Sequence, residues 1–573
     1  MFAFCPAKRR FFVLMSALLG SGVLGRAQQA DMVLVHGTVL TEDARDSVAQ
    51  AVAIRGGAIV AVGTDKDVMK LVGPKTRVID LKGRTATPGM IDTHSHYAEA
   101  GADDLFGIQL SDATSIAEIV GRVEKRVATA KPGEWIVGTG WDEGKLKERR
   151  YVLAADLDAV SPKNPVVLRN TSGHYSTLNH VAMQLAGITD AIKDPVNGKF
   201  DRDQAGHLTG VLEEGAQASV QPLIPRPTAD QIRQGVLKEI DDLHREGVTG
   251  FKDTATMAQW DVLDELNAEG KLDERVCILL RAGPSMATAE TTLKNLQRIS
   301  PVPRTYKQGR LAACGAKIFM DGSIGPRTAW SYEEWMKDGV AEAGNMGFPN
   351  LDPEVYRAMV RMFHQAGITV GTHAIGDRAV DWVVDTYAAV EKEKPMPGLR
   401  HSIIHAMLVT PHAIDAMAAL QKDYDAGYPE VQPIFLWWRG VTMASAMDAG
   451  MRARLNPLKT MLEHHVRWSM GTDYGVAPLA ARYGLWSAVV RESGDGTRPF
   501  GMAEAVDVKT ALRGYTAWAA PALFLEKEVG TLEVGKRADI AVWDKNPLDV
   551  AAGELKGLEC EMTLVDGKVV FAR

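Results

Sequence analysis

Hydrophobic and polar positions in the middle of the chain follow a helical period and a strand period in turn. After Thr228, apolar residues recur at helical spacing from Ile232 to Leu243, and Gly247 is placed to end the helix. Residues 248–251 then form a short apolar run of the kind found in buried strands. The pattern predicts a helix that is followed directly by a strand.

The same unit recurs further along the chain. Asp352 is suited to cap a helix that begins at Pro353, and Gly367 is placed to end it. Residues 368–372 form the next apolar strand, and His373 follows at its end. Helix–strand alternation predicts a parallel sheet. With polar residues at the strand ends, the repeated pattern predicts an α/β fold, a (β/α)8 TIM-like barrel whose active site lies at the carboxyl ends of the strands.

Both ends of the chain have the shorter pattern of a β domain. Four β-rich runs lie there, at residues 32–40, 51–63, 539–544 and 562–571. Gly56 and Gly57 mark a hairpin in the first half, as Asp566 and Gly567 do in the second. We therefore predict a small discontinuous β-sandwich domain formed by residues 28–86 and 525–573, beside a hydrolase barrel formed by residues 87–524.

The barrel region is longer than a plain barrel requires. The stretch between His96 and Lys317 exceeds what two strand–helix units need, so we predict an insertion at about residues 101–225. Long loops after barrel strands shape the pocket. Trp141 and His174 fall within this insertion.

The first 27 residues have the pattern of an export signal. Basic residues 8–10 precede an apolar stretch that is too short to span a membrane comfortably, and Ala27 is suited to cleavage. The paired arginines are similar to a twin-arginine signal, and an ordinary secretory signal fits as well. We predict a signal peptide over residues 1–27, a periplasmic or secreted protein, and no membrane anchor in the mature chain.

Composition narrows the class of protein further. The chain has 573 residues, 46% hydrophobic and 24% charged, which is typical of a soluble enzyme. The net charge of −7 does not favour a nucleic-acid surface, so the expected partner is a small-molecule substrate, and a homodimer is common for this fold. Four cysteines without zinc spacing indicate no disulfide framework, and Cys277 and Cys314 are expected to be buried thiols.

Histidines and an aspartate fall where predicted strands end. His94 and His96 are two residues apart, so in a strand they face the same way, as two imidazoles on one metal ion require. His373 and His405 each close another predicted strand, and Asp473 follows a further one. The pattern indicates a metal centre at the mouth of the barrel.

Singly, these residues have ordinary explanations. A histidine can be a hydrogen-bonded barrel residue, and Asp473 can cap a helix. Lys317 lies inside an apolar strand, where a charged amine is costly unless it reaches a carboxylate or is chemically changed. Taken together, these residues are poorly explained by such ordinary roles, because all of them fall at strand ends of one barrel-like region.

Nine runs of sequence carry a family resemblance. The chain resembles the metal-dependent amidohydrolase superfamily, and within it the YtcJ-like branch, amidohydrolase family 3, which includes N-substituted formamide deformylases. The resemblance covers almost the whole mature chain. These runs include TPGMIDTHSH (87–96), AKIFMDGSIGPRTA (316–329), GTHAIGDRAVD (371–381), RHSIIHA (400–406) and GTDYGVAP (471–478). The run AKIFMDGS together with GTHAIGDRAVD is highly specific to this branch.

The resemblance implies a metal centre with one or two divalent ions. The implied ligands are His94, His96, Lys317, His373, His405 and Asp473. The first two histidines and the aspartate hold one ion, and the later two histidines hold a second. The lysine, after reacting with carbon dioxide to form a carbamate, bridges them. Zinc fits histidine and oxygen ligands best, although iron, manganese or nickel also fit.

The implied activity is hydrolysis of an amide or another non-peptide C–N bond by a metal-activated water. Asp473 then orients the water, accepts its proton and passes it to the leaving nitrogen. His174 is similar to the family's Gly-His motif and is expected to meet the substrate carbonyl, with a loop-packing role as the alternative. Trp141, Asp321 and Arg327 are expected to contact the substrate.

Alternatives remain open at this point. The same metal barrel can act as an esterase, a lactonase or a decarboxylase. A metal-binding protein without catalysis is less favoured, because the ligand set and Asp473 are complete. Two positions depart from the family pattern: Ile404 stands where a glutamate is usual, and Met407 where a glutamine is common. These departures leave the substrate undefined.

Overall fold

The computed structural model describes residues 29–337 and 339–573, so the predicted signal peptide lies outside the described residues. Eight parallel strands form a nearly closed barrel in which each strand pairs with the next. We label them β1 to β8: Met90–Ser95, Val248–Ala255, Arg275–Arg281, Leu311–Phe319, Thr369–Ala374, Ser402–His405, Tyr428–Val431 and Ser469–Met470. Contacts such as the hydrogen bond from the backbone amide of Asp473 to the carbonyl of His94 (2.8 Å) join the two end strands. The predicted TIM-like barrel is confirmed.

Helices separate the barrel strands and cover their outer faces. The main ones are Tyr97–Phe106, Ala229–Arg245, Met257–Ala268, Met286–Ile299, Pro353–Gln365, Asp377–Glu393, Pro411–Tyr424, Ala481–Val490 and Val508–Gly514. Shorter helices follow β7 at Ile434–Trp438, Gly440–Ala446, Ala449–Ala453 and Leu458–Glu463. Thr228 caps its helix as predicted, and Asp352 caps the helix that begins at Pro353. The largest apolar core lies between these helices and the barrel.

Strands from both chain ends pair in a small β domain. Thr85–Pro88 pairs antiparallel with Ile540–Trp543. The six-stranded sheet contains Thr38–Leu40, Val48–Ala49, Thr85–Pro88, Ile540–Trp543, Cys560–Val565 and Lys568–Ala572. A four-stranded sheet contains Met32–Val35, Ala51–Arg55, Ala58–Gly63 and Arg77–Asp80. Both predicted hairpins form, because Gly56, Gly57 and Gly567 have the positive φ that such turns need.

The chain between β1 and β2 forms an α/β lobe of its own. Its six-stranded sheet contains Ile108–Gln109, Ile136–Trp141, Val166–Asn170, Tyr175–Leu178, Gly198–Arg202 and Leu208–Glu214. The helices Ile116–Val127, Ala154–Leu157 and His180–Leu185 pack with it. Two separate apolar cores stabilise the lobe. We call residues 108–214 the insertion lobe.

The expectation for two cysteines is wrong. Cys277 on β3 and Cys314 on β4 form a disulfide, and their Cα atoms are 5.6 Å apart. The two strands are neighbours, since Cys277 lies opposite Ala312, and this brings together residues 37 apart in sequence. Cα atoms at this distance are within the range that a disulfide bridges. In the described part of the chain, no helix is both long and apolar enough to cross a membrane.

Candidate active site

The barrel brings the six predicted metal ligands to one end. His94 lies in β1, Lys317 in β4, His373 in β5 and His405 at the end of β6, while His96 and Asp473 follow β1 and β8. All six are buried except His96, whose side chain is 17% exposed. The backbone φ is 81° at His405 and 56° at Asp473. Such strained conformations cluster at functional sites.

The side chains form one compact cluster. Asp473 Oδ1 is 3.1 Å from His96 Nε2 and 3.4 Å from His94 Nε2, and Lys317 Nζ is 3.3 Å from His94 Nε2. The ring centroid of His405 is 5.3 Å from that of His94. The candidate ligand atoms of His94, His405 and Asp473 all lie within 4.8 Å of one another. The sequence analysis assigns His94 and Asp473 to one ion and His405 to a second. In the structure, His405 lies beside His94 and Asp473.

Unpartnered buried atoms test whether the cluster suits a metal ion. His94 Nδ1 and Asp473 Oδ1 are buried, and neither makes a well-aligned hydrogen bond among the described residues; the nearest donor to Asp473 Oδ1 is His96 Nε2 at 3.1 Å. Buried polar atoms are rarely left so, because the loss of water costs about 1–3 kcal/mol each. Imidazole nitrogen and carboxylate oxygen are also ligand types that zinc prefers. The donor set therefore fits a divalent cation.

Neighbouring acceptors set the proton positions of two histidines. His405 Nδ1 donates to Gln432 Oε1 (2.6 Å), and His373 Nε2 donates to the carbonyl of Gly322 (2.9 Å). Each ring then has its other nitrogen free of a proton, which is how protein histidines are prepared as metal ligands. Ile404 stands where the family pattern has a glutamate, but His405 still has a polar partner, because Gln432 reaches it from the chain just after β7. Ile404 itself packs on the apolar floor of the barrel.

Burial sets the charges of the cluster. It lowers the pKa of His405 to about 3 and holds the pKa values of His94 and His373 well below their ordinary range. Burial opposes ionisation of Asp473, but the contact with His96 and the nearby positive charges outweigh it, so the pKa of Asp473 is lowered. Neutral imidazoles and an ionised carboxylate are the forms that bind metal ions.

Lys317 is a buried amine without an acidic partner. Its closest polar contact is His94, and its Nζ lies 4.8 Å from the centre of the Phe319 ring. Within the described residues, no carboxylate oxygen lies within ion-pairing distance of it. Burial lowers the pKa of Lys317 to about 7. By contrast Lys252 on β2, an equally buried lysine, contacts Glu430 on β7 directly.

The cluster opens into a cavity of about 870 Å³. The barrel contributes Arg281, Phe435, Trp438, Arg439 and Tyr474 to its wall, and the insertion lobe contributes residues 169–174 and Glu214. Arg281 contacts Glu99 directly and lies 3.1 Å from His96 Nδ1. The insertion lobe therefore forms part of the site.

His174 lies on this wall beside the cluster. Its ring centroid is 5.0 Å from that of His373, and its Nδ1 contacts both carboxylate oxygens of Glu214 at 3.0 and 2.9 Å. Glu214 did not stand out in the sequence, because a glutamate beside Glu213 at a strand end resembles an ordinary surface residue.

The three predicted substrate contacts take other positions, which corrects that expectation. Trp141 is fully buried in the core of the insertion lobe, and its indole N–H donates to the carbonyl of Leu168 (3.1 Å). Asp321 accepts three backbone amides at 2.8–3.0 Å and so fixes the loops beyond β4 and β5. Arg327 contacts Glu342 at 3.3 Å. These side chains bind protein groups, and none is among the residues that line the cavity.

A second buried cluster, His364, His401 and Glu391, lies on the outer side of the barrel. The backbone amide of Val370 donates to His401 Nδ1, His401 Nε2 donates to His364 Nδ1, and His364 Nε2 donates to the carbonyl of Lys394, at 3.0, 2.9 and 2.7 Å. Every ring nitrogen of His364 and His401 therefore has a hydrogen-bond partner. Glu391 Oε1 is buried without a hydrogen-bond partner among the described residues, but both rings have all their nitrogens occupied, so no imidazole nitrogen of this cluster is left to bind a metal ion.

Sequence comparisons with known proteins bear on the family of this chain. A family model described as "Amidohydrolase family" matches residues 77–571. An N-substituted formamide deformylase from Arthrobacter pascens is 30% identical over 95% of this chain and 99% of that protein. The putative amidohydrolase YtcJ of Bacillus subtilis is 27% identical over 91% of this chain and 96% of its own length.

The fold comparison finds a solved structure with a similar architecture. The solved structure of an uncharacterized metal-dependent hydrolase from Pyrococcus horikoshii OT3 superimposes with a TM-score of 0.70 at 23% identity, covering 91% of this chain and 99% of that one. The family match spans most of the chain, including the barrel and both parts of the β domain. The chain belongs to the amidohydrolase family of hydrolases.

Proposed function

We propose that this protein is a metal-dependent hydrolase that cleaves a non-peptide C–N bond, with an amide as the first candidate. One observation carries the proposal: His94, His405 and Asp473 bring their donor atoms within 4.8 Å of one another at the floor of an open cavity. Two of these residues, His94 and Asp473, have buried atoms that make no well-aligned hydrogen bond in the described chain. Zinc suits this set best, and one or two ions can be held by the six candidate ligands.

A divalent ion at this position supplies a Lewis acid for the substrate carbonyl and makes water more acidic. Asp473 supplies the base. Its carboxylate is ionised, it is held at the cluster by His96, and its Oδ1 is free of other hydrogen bonds within the described chain. This atom can accept a proton from water and then deliver it to the leaving nitrogen, which makes the amine a better leaving group.

Lys317 is proposed to be carboxylated. A buried, unpaired ammonium is costly, whereas a neutral amine reacts with carbon dioxide to give a carbamate. The product would be an anion with two oxygens beside His94, and it would give the cluster a further oxygen ligand. The amine nitrogen would bond to the carbon of carbon dioxide while one C=O π bond opens onto oxygen, and the proton lost from nitrogen would pass to water, so no oxidant or reductant is needed.

The name of one relative supports an amide substrate. The Arthrobacter pascens protein is named for removing the formyl group of N-substituted formamides, and the match covers nearly all of both chains. Hydrolysis of such a bond needs attack by water on a carbonyl and protonation of a nitrogen. A metal ion at the cluster and the Asp473 carboxylate would supply these two functions, which supports the proposal.

Matched substrates test the type of bond. An N-substituted formamide, an N-acyl amino acid, a carbamate and a formate ester with the same substituent are offered to protein of known metal content. We expect hydrolysis of at least one C–N substrate, with general acid–base catalysis by Asp473 contributing about 10²- to 10⁴-fold to its rate, since an amine leaves only when its nitrogen is protonated. Hydrolysis of the ester alone would contradict the proposal and favour an esterase.

We also propose that the protein is exported to the periplasm or beyond. The N-terminal pattern of residues 1–27 supports this, and so does the Cys277–Cys314 disulfide, because disulfides persist mainly in oxidising compartments. After fractionation of the source cells, we expect the shortened chain outside the cytoplasm, with Cys277 and Cys314 protected from alkylation until a reductant is added. A full-length cytoplasmic protein with both thiols free would contradict the proposal.

A further inference from the structure

Arg439 lies in the wall of the cavity with most of its hydrogen-bonding capacity unused. Its side chain is 3% exposed and lines the cavity. A guanidinium has five N–H donors and no acceptor. Nε and Nη2 of Arg439 are buried without a hydrogen-bond partner among the described residues, and Nη1 reaches only the hydroxyl oxygen of Ser323, at 3.4 Å. Buried donors are rarely left in this state, so an acceptor from outside the chain is expected here.

Asp142 faces Arg439 but does not satisfy these donors. Asp142 Oδ2 is 3.9 Å from Arg439 Nε, which is too far for a hydrogen bond. The other oxygen of Asp142 is engaged elsewhere, because it accepts the backbone amide of Gly144 at 2.8 Å and contacts the hydroxyl of Thr442 directly. Asp142 therefore offsets part of the charge of Arg439 and leaves its N–H groups available.

The other arginine and lysine side chains of the cavity wall are paired with acidic residues. Within the described residues, hydrogen bonds join Arg122 to Asp112, Arg169 to Asp103, Lys238 to Glu239 and Arg281 to Glu99. Arg439 alone among these cations makes no hydrogen bond to a carboxylate of the described chain. It is the cation of this wall that is left for the carboxylate of a ligand.

Arg439 lies close to the candidate metal ligands. Its backbone amide donates to the carbonyl of Phe435 at 3.0 Å, so it lies one helical turn, about 5.4 Å, beyond Phe435. The ring centroid of Phe435 is 6.1 Å from that of His405. Ser323, which Arg439 contacts, directly follows the glycine whose carbonyl accepts from His373. The guanidinium can therefore meet a group that lies a few bonds from an amide held at the cluster.

Two neighbours of Arg439 fit a site for an oxyanion. Trp438 also lines the cavity, and its indole N–H is buried without a hydrogen-bond partner in the described chain. Gly325 lets the backbone approach the guanidinium closely, since a Cβ there would lie 2.8 Å from Nη2 of Arg439. Unused N–H groups on the adjacent residues 438 and 439 suit a carboxylate, which accepts hydrogen bonds and donates none.

We propose that Arg439 binds a carboxylate of the substrate and so makes an N-acyl amino acid the preferred class of amide. This inference rests on the proposed function and names the substrate class within it. The planar guanidinium matches a carboxylate through two parallel hydrogen bonds, which a neutral group cannot provide. A carboxylate held there leaves the amide, a few bonds away, at the metal ligands. Arg439 then determines specificity and takes no part in the proton transfers.

Two formamides that differ only in the carboxylate test this preference. N-formylphenylalanine, tried as both enantiomers, has the carboxylate, and N-formyl-2-phenylethylamine lacks it. With one enantiomer, the wild type should reach a kcat/KM about 30- to 1,000-fold above that for the amine derivative, the range expected when one partner of a buried charge pair is removed. In Arg439→Met this ratio should fall by at least about 10-fold, chiefly through slower hydrolysis of N-formylphenylalanine. The ratio does not depend on how much of the variant folds, because both rates come from one preparation.

Two further variants separate this role from a merely structural one. Arg439→Lys keeps the positive charge without the planar fork and should keep part of the ratio. Arg122→Met is the matched control, since Arg122 also lines the cavity but already pairs with Asp112, and it should keep the full ratio. A wild-type ratio near one, or an equal loss on both formamides in Arg439→Met, would overturn the proposal.

Calorimetric binding of 3-phenylpropanoate tests the carboxylate site without turnover. This probe has the carboxylate and the ring but no amide, and it is titrated into protein of known metal content. Its Kd should be at least about 10-fold higher in Arg439→Met than in the wild type, and unchanged in Arg122→Met. Equal Kd values in the wild type and Arg439→Met, or no binding to the wild type, would overturn the inference. If the wild type binds the probe through Arg439 but hydrolyses neither formamide, the proposed function fails and the carboxylate site stands.

Discussion

Asp473→Asn is expected to abolish measurable turnover of the C–N substrate while most of the bound metal remains. The asparagine has the same shape and keeps an oxygen that can bind the ion, but it cannot accept and pass on a proton. Loss of general acid–base catalysis alone accounts for about 10²- to 10⁴-fold in kcat. Steady-state kinetics and elemental analysis of the same preparation measure both quantities.

Asp112→Asn provides the control for this variant. Asp112 also lines the cavity, but its side chain is 75% exposed and pairs with Arg122 away from the metal ligands. Its substitution should leave kcat within about threefold of the wild type, as surface changes usually do. Turnover by Asp473→Asn that matches the wild type would exclude Asp473 as the proton carrier.

Lys317→Met is expected to eliminate turnover and lower metal content without destabilising the metal-free protein. Methionine fills a similar volume and removes the need to bury an unpaired amine, and replacing buried charges by apolar groups is often neutral or stabilising. The proposed carbamate can no longer form. The thermal midpoint of the chelated variant should therefore equal or exceed that of the chelated wild type, although its activity is lost.

Carbon NMR after incubation with labelled bicarbonate tests the modification itself. The wild type should show a carbamate signal that Lys317→Met lacks. Lys238→Met, which replaces a partly exposed lysine of the cavity wall, should keep that signal. A fully active, metal-loaded wild type without the signal would show that the unmodified lysine suffices, and it would contradict this part of the proposal.

The barrel could be predicted because its local patterns and its fold agree. The apolar stripe that ends at Gly247 formed a helix, and the run after it became β2. In a parallel barrel all strands end at one rim, so residues at strand ends lie together even when hundreds of positions separate them. This reasoning brought His94, His373, His405 and Asp473 to one cluster. The roles assigned to them came from the family resemblance.

The remaining errors concern contacts that depend on register and packing. The Cys277–Cys314 pair required the exact alignment of β3 and β4, which apolar residues on both strands do not reveal. Trp141 has the composition of a pocket residue but packs in the core of a lobe whose sheet was not foreseen. The contacts of Glu214 could not be predicted, because Thr328 and Gly322 approach it from a different part of the chain.

Metal titration of the chelated wild type tests the central claim most directly. The protein is stripped of metal, zinc is added back in steps, and bound metal per chain is measured together with hydrolysis of the best C–N substrate. We predict no turnover in the stripped protein, activity that rises with bound metal up to one or two ions per chain, and neither binding nor recovery in His405→Ala. Full turnover by protein that contains no metal would contradict the account.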